Sequence, residues 1–408
     1  MKPQSLTVLG ATGSVGRSTL DVVRRHPDRI KVHALTALRD VPALLALCRE
    51  FRPALAVLGD EVAAQHLQQL LRGETLGTVV RAGTDALCEV AGDTAHDTVM
   101  SAIVGAAGLM PTLAAVKAGK RVLIANKEPV VMAGRLLVEA SLRFGATLIP
   151  IDSEHNAIFQ CLPLGFRCGT TDAAAVLGVQ RLVLTASGGP FRDTPLEDLE
   201  QVTPAQAVRH PNWVMGPKIS VDSATMMNKG LELIEAHYLF GIAPERIEVV
   251  LHPESVIHSL VEYRDGSMLA QLGRPDMRVP IAHALAYPER WDSGVQGLQL
   301  AEGGRLNFQA VDPRRFPCLD LARDALRRGG IFPNVLNAAN EIAVEAFLGG
   351  HVPFTGIAAL IERTLEAADG ARLPVDDSFE AVLQVDGWAR RTAQGFAPGA
   401  SEVAVGHA

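Results

Sequence analysis

Along the first 151 residues the apolar positions fall into two alternating textures. Short aliphatic and β-branched runs (LTVLG, KVHALTA, ALAVLG, TVMSAIVG, KRVLIA and ATLIPI) are separated by segments in which apolar residues recur at helical spacing. Parallel strands need helix-bearing crossovers, so this order predicts an α/β domain over 1–151, built on a doubly wound parallel sheet. From 152 to 287 glycine, proline and polar loops dominate. Strands are predicted at RLVLTAS, IEVVLH and MLAQLG and a helix in KGLELIEAHYLFG, which reads as an α+β domain. A connector rich in Gly and Asp covers 288–313. The tail, 314–408, reads as a helical domain. In NVLNAANEIAVEAFLGG, Val335, Ala338, Ala339, Ile342, Ala346 and Phe347 recur at helical spacing, and Gly349 follows as a stop.

Composition narrows the class. The chain has 408 residues, too many for one ordinary core, with 48% apolar and 20% charged positions, as in a folded globular protein. A net charge of −7, with no basic run longer than a dipeptide, offers no face for nucleic acid. Five cysteines, without a C-x-x-C, fit reduced thiols in a cytoplasmic protein and argue against a zinc ribbon or a disulfide framework. The N-terminus enters a strand within a few residues, so neither a signal nor a transit peptide is expected. The uncharged TVMSAIVGAAGLMPTLAAV (98–116) approaches the length of a membrane span. Gly105, Gly108 and Pro111 divide it into a strand, a tight loop and a helix start, so no membrane segment is expected.

The first strand-to-helix turn carries Gly10, Gly13 and Gly16 in LGATGSVG. Glycines there let the backbone approach a pyrophosphate at a helix N-terminus; the alternative is a tight turn without ligand. At the end of the second strand Arg39 precedes Asp40. A guanidinium can grip a 2′-phosphate in a fork, which favours NADP over NAD.

PIDSEHNAIFQ places Asp152 and Glu154 just past a buried strand. Residues two apart on an extended segment point the same way, and two such acids repel unless a cation sits between them. Mg²⁺ or Mn²⁺ suits carboxylates without thiolates; the alternative is an exposed acidic turn capping the following helix. His155 is expected on the opposite side, packed or solvated. SVDSATMMNKGLELIEA offers Ser223, Asn228 and Lys229 to a phosphate, the last two near a helix N-terminus. Glu232 lies one turn further on and Glu235 deeper; both could equally be a solvated helix face. Ser187 with two glycines in TASGGPFR makes a second anion loop. His210, Trp213 and Met215 sit in a proline-bounded loop that reads as a water-excluding lid, or as a small core for Trp213 and Met215.

Over nearly the whole chain these blocks resemble the bacterial 1-deoxy-D-xylulose 5-phosphate reductoisomerase family. The resemblance is carried by LGATGSVGRSTLDV, ANKE, PIDSEHNAIFQ, ASGGPFR, RHPNWVMGPKISVDSATMMNKGLE, HPESVIHS, QLGRPDMR and LNAANEIAV. It implies a Rossmann-like N-terminal domain, a central catalytic domain and a C-terminal helical domain. It further implies an NADPH- and divalent-metal-dependent enzyme that rearranges and reduces a sugar phosphate, in a homodimer. By resemblance Asp152, Glu154 and Glu232 bind the metal. Substrate contacts fall on Lys127, Ser153, Glu154, Ser187, His210, Ser223, Asn228, Lys229 and Glu232. Cofactor contacts fall on Thr12, Gly13, Ser14, Val15, Arg39, Asn126, Glu128 and Gly216. Lys127, Glu154, His210 and Glu232 are the catalytic candidates, His210 either as a phosphate or hydroxyl ligand on the lid or as a general base. The family commonly has Gly-Lys-Asn where this chain has Leu38, Arg39 and Asp40, and often serine where Pro129 stands. The segment PLGFRCGTTDAAAVLGVQ matches poorly and is given no role.

Two other readings compete. One is a metal-dependent NADP sugar-phosphate dehydrogenase without skeletal rearrangement. The other is an NADP-binding sensor or scaffold with a dead site.

Overall fold

The computed structural model describes residues 3–74, 76–170, 176–209, 213, 215–301, 304–374 and 377–397. By contacts the chain forms two compact units. The first comprises Met1–Pro129, Leu137–Gly169 and Asp276–Gly297; the second comprises Val130–Leu136, Thr170–Pro275 and Leu298–Ala408. This partition is drawn differently from the functional borders read along the sequence, because the chain returns to the first unit twice. The helix Arg278–Ala286 packs on the helices Ser14–Arg25 and Ser153–Cys161. Arg278 pairs with Asp21 at 3.1 Å, and the Arg121 guanidinium donates to the Tyr287 carbonyl at 3.0 Å.

The first unit holds seven strands, β1 (Gln4–Leu9), β2 (Ile30–Ala37), β3 (Leu55–Leu58), β4 (Val79–Ala82), β5 (Thr98–Ser101), β6 (Arg121–Ile124) and β7 (Thr147–Pro150). Their order is β4-β3-β2-β1-β5-β6-β7 and every pairing is parallel. The expected doubly wound sheet is therefore present, with its order reversing between β1 and β5. β4 was not legible, since VVRA lies mostly exposed at the sheet edge and carries no continuous apolar run. Residues 98–116 resolve into β5, a short 3₁₀ turn and the helix Leu109–Lys117. Among the described residues no helix is long and apolar enough to cross a membrane.

The second unit holds β8 (Val179–Ala186), β9 (Ile247–Leu251), β10 (Ile257–Tyr263), β11 (Met268–Leu272) and β12 (Gln309–Ala310), in the order β11-β10-β8-β9-β12. β8 and β9 are parallel and the other pairs antiparallel. β10 escaped the sequence reading because buried His258 and Ser259 interrupt its apolar pattern. The tail is helical as expected, with Pro317–Arg328, Phe332–Leu348, Phe354–Asp369 and Phe379–Phe396. Phe332–Leu348 is the central member and packs against the two helices that follow it. Val335, Ala338, Ala339 and Ala343 on it are fully buried, and a large aliphatic such as Val335 contributes roughly 1.5–3 kcal/mol by leaving water.

Candidate active site

The glycine turn stands at the reversal of the first sheet, where α/β folds bind ligands beyond the strand ends. Gly10 has φ +80°, and a Cβ on it would lie 2.6 Å from the Ala102 carbonyl oxygen, just past β5. A Cβ on Gly16 would lie 2.3 Å from the Gly10 carbonyl oxygen, so the helix Ser14–Arg25 can seat on the turn only without a side chain there. Gly13 is exposed, and no side chain caps the helix that follows it. The first-turn amides at Ser14 and Val15 thus present an electropositive helix end at the surface. Arg17 Nε donates to the Thr12 carbonyl at 2.7 Å and braces the turn.

Arg39 and Asp40 follow β2 after Leu38 and are exposed. The Asp40 carboxylate accepts the Ala43 N–H at 3.1 Å, capping the helix Val41–Phe51. Among the described residues the Arg39 guanidinium makes no hydrogen bond or ion pair, so the acid is engaged locally while the cation faces solvent. Asn126 is buried and organises the loop after β5. Its amide donates to the carbonyls of Ile103 and Gly105, and its Oδ1 accepts the Glu128 N–H at 3.2 Å. Glu128 is buried as well and opens the helix Glu128–Phe144, with Pro129 in the first turn where a missing N–H costs nothing.

Beyond β6 and β7 two side chains meet. Lys127 Nζ lies 2.5 Å from Asp152 Oδ2, and each side chain is 12% exposed. The positive partner of this acid in the protein is therefore a lysine. The expected extended segment is not found: Asp152 is the residue before the helix Ser153–Cys161. His155 consequently lies on the same side as Asp152, three residues on, fully buried with Nδ1 4.0 Å from Asp152 Oδ2. Helical rather than alternating periodicity governs here, which corrects the expectation of an opposite-facing histidine. Ser153 Oγ donates to Glu154 Oε2 at 2.6 Å in the first helical turn.

In the second unit the helices Pro217–Thr225 and Met227–Phe240 are joined by one left-handed residue, Met226, at φ 62°. Asn228 and Lys229 lie in the first turn of the second helix. Both donate to Glu232, Asn228 Nδ2 to Oε1 and Lys229 Nζ to Oε2. Lys229 is 3% exposed, Glu232 1% and Glu235 0%, so this acidic face is interior, not solvated. Ser187 follows β8 and its Oγ accepts the Gly189 N–H at 3.1 Å. A Cβ on Gly189, at φ +66°, would lie 2.8 Å from the Ser223 carbonyl oxygen, so the two serine-bearing segments run side by side. Trp213 is half-buried with its ring 6.1 Å from that of His258, Met215 is half-buried, and Gly216 is exposed ahead of Pro217–Thr225. His210 lies outside the described residues. The sequence reading passed over Asp222, whose signal was a lysine four residues earlier, at Lys218, on the same helix.

A parallel sheet with a glycine turn at its reversal point, acid–lysine pairs and a second mixed-sheet unit define the class of dinucleotide-dependent oxidoreductases. Family models described as 1-deoxy-D-xylulose 5-phosphate reductoisomerase match residues 6–134, and its C-terminal domains match residues 148–240 and 272–392. A 1-deoxy-D-xylulose 5-phosphate reductoisomerase from Cupriavidus pinatubonensis is 60% identical over 389 residues, covering 95% of this chain and 96% of the relative. One from Ralstonia nicotianae is 60% identical over 393 residues, covering 96% and 97%. A crystal structure of DOX-P reductoisomerase in complex with NADPH, fosmidomycin and magnesium superposes with a TM-score of 0.91 at 50% identity, over 96% of this chain and 98% of that one. The Zymomonas mobilis enzyme in complex with NADPH gives 0.88 at 46% identity, over 97% and 99%. The chain belongs to the 1-deoxy-D-xylulose 5-phosphate reductoisomerase family.

Proposed function

We propose that the chain converts 1-deoxy-D-xylulose 5-phosphate to 2-C-methyl-D-erythritol 4-phosphate, a step of non-mevalonate isoprenoid biosynthesis, using NADPH and a divalent metal. The observation that carries the reading is the pairing of acid with lysine in each unit, Lys127 with Asp152 and Lys229 with Glu232. Desolvated carboxylates held by cations and amides are the environment in which a hard ion and a ketose are handled.

Asp152, Glu154 and Glu232 are assigned as the metal ligands. Their all-oxygen donor chemistry fits Mg²⁺ or Mn²⁺, and two of the three are already matched to a lysine. When bound, the metal supplies Lewis-acid polarisation of the ketose oxygens, and NADPH supplies the hydride that reduces the rearranged aldehyde. The residues do the rest. Lys127 places a proton and a positive charge beside Asp152, where it can stabilise oxygen charge as carbon–carbon bonds exchange. Ser187, Ser223, Asn228 and Lys229 hold the substrate phosphate, with Ser153, Glu154 and Glu232 at the sugar end and His210 closing over it. Phosphate contacts lie away from the reacting carbons, so their binding energy can drive lid closure and alignment. Thr12, Gly13, Ser14 and Val15 cradle the pyrophosphate, Arg39 reads the 2′-phosphate, and Asn126, Glu128 and Gly216 complete the nucleotide contacts. We keep the functional division 1–151, 152–287, 288–313 and 314–408 for these roles.

The partner is a second copy of the chain. Among the described residues β11 is an edge strand, with Met268 44%, Leu269 49% and Leu272 37% exposed, and an apolar edge invites strand addition. Light scattering at a dimer mass supports this, and a monomer mass at micromolar concentration refutes it. Five free cysteines fit a cytoplasmic setting. The activity is tested by NADPH absorbance at limiting 1-deoxy-D-xylulose 5-phosphate, with metal, after EDTA and after Mg²⁺ is restored. A branched methyl-erythritol product supports the reading; an unbranched polyol establishes the dehydrogenase without rearrangement.

A further inference from the structure

We propose that Asp222 is a positioning residue that, matched by Lys218 within its own helix, ties the helix Pro217–Thr225 to Asn340 and so sets where Ser223, Asn228 and Lys229 stand. The inference rests on the assignment of those three residues to the substrate phosphate.

Asp222 is 1% exposed, and an ionised carboxylate is buried at great cost unless it is matched. Two groups match it. Lys218 Nζ lies 2.9 Å from Oδ2, within the same helix, and Asn340 Nδ2 donates to Oδ1 at 2.8 Å from the helix Phe332–Leu348, 118 residues away. Asn340 is fully buried, and its own Oδ1 accepts no hydrogen bond among the described residues. A leucine would pack there without that defect, so the amide is held for what it donates to Asp222.

The clamp acts on a strained junction. Met226 is left-handed at φ 62°, which a residue with a Cβ keeps only when its surroundings fix it. On one side Gly230 seats the second helix, since a Cβ there would lie 2.5 Å from Ala322 Cβ. On the other side Asp222 ties the first helix to the tail helices. Ser223 follows Asp222 directly, and Asn228 and Lys229 begin the helix just past the junction.

Steady-state kinetics of Asn340→Leu test the clamp. Loss of one charge-assisted hydrogen bond should raise the KM for 1-deoxy-D-xylulose 5-phosphate about 10-fold, with kcat lowered less than about 3-fold and the KM for NADPH unchanged. Exchanging the partners, Asp222→Asn with Asn340→Asp, rebuilds the hydrogen bond in reverse but not the Lys218 pair, and should bring the substrate KM below that of Asn340→Leu without returning it to wild type. Should Asn340→Leu fail to fold, Lys218→Gln, on a partly exposed side chain, should still raise the substrate KM alone. Ser223→Ala separates the two claims. If it raises the substrate KM while Asn340→Leu and Lys218→Gln do not, the clamp is refuted and the phosphate assignment stands. If it leaves the KM unchanged, the assignment itself fails and the clamp falls with it. Equal changes in both KM values with a lower melting temperature reduce Asp222 to a packing role.

Discussion

The two acid–lysine pairs make the same contact by opposite means. Lys229 and Glu232 lie three residues apart on one helix, and 3.6-residue periodicity alone puts them together. Lys127 and Asp152 are 25 positions apart, beyond two neighbouring parallel strands, and only the crossover between β6 and β7 makes them meet. The local pair is sealed, at 3% and 1% exposure; the topological pair keeps 12% on each side. A sealed pair has no water to replace a lost partner, whereas a partly open pair has some. The open pair is accordingly the one suited to meet the reacting oxygens, and the sealed pair the one suited to keep an acid and the lysine proposed for the phosphate in a fixed place.

That contrast can be broken from several directions. The largest effect is expected for Glu232→Gln. Removing the charge proposed to face the metal should lower kcat by ~10³-fold or more while leaving NADPH affinity, read by fluorescence titration, within about 2-fold. Lys127→Met should lower kcat by ~10²–10³-fold, and matched melting curves should show the reverse ranking for stability. There Lys229→Met should cost about 3–5 kcal/mol, because it removes the cation that pairs with a sealed carboxylate, and Lys127→Met less. Equal costs would mean that exposure does not separate the pairs. Arg39→Asp should raise the KM for NADPH at least ~10-fold, since it exchanges a phosphate contact for a repulsion; an unchanged value would remove Arg39 from that role.

A further effect is one of pH, and it separates the two units. Burial, with Lys120 next in rank, pushes the His96 imidazole down to about 4; burial, with Arg290 and Arg121, does the same to His283. The unfolded chain takes up these protons near 6.5 and the folded chain does not until about 4. Stability from these groups is therefore complete above 6.5 and is lost as pH falls from 6.5 towards 4, by up to about 3 kcal/mol each. Both histidines belong to the first unit, so amide exchange at pH 5 should rise there before the second unit. His283→Gln should flatten the fall in melting temperature over that range.

Much of this was legible in the sequence, for identifiable reasons. The glycine turn and the alternating strands of the first unit announce themselves because backbone demands and a fully buried sheet leave continuous signals. Glu232 could be placed one turn beyond Asn228 and Lys229 because helical spacing is local, although its burial could not. Where the chain turns from strand to helix within one residue, as at Asp152, the period changes without a marker, and His155 was put on the wrong side. β10 and β4 were missed because buried polar and exposed edge positions break the apolar run. Asp222 with Asn340 and Lys127 with Asp152 are contacts of topology, and no window of sequence contains both members.

The central claim is that Asp152, Glu154 and Glu232 serve one divalent ion. Titrating EDTA-stripped protein with Mn²⁺ and following the free ion by electron paramagnetic resonance tests it without any turnover. The account predicts one tight site per chain, weakened at least ~10-fold in Asp152→Asn and in Glu232→Gln alike, with the fold intact by circular dichroism. Unchanged Mn²⁺ affinity in either variant would contradict it.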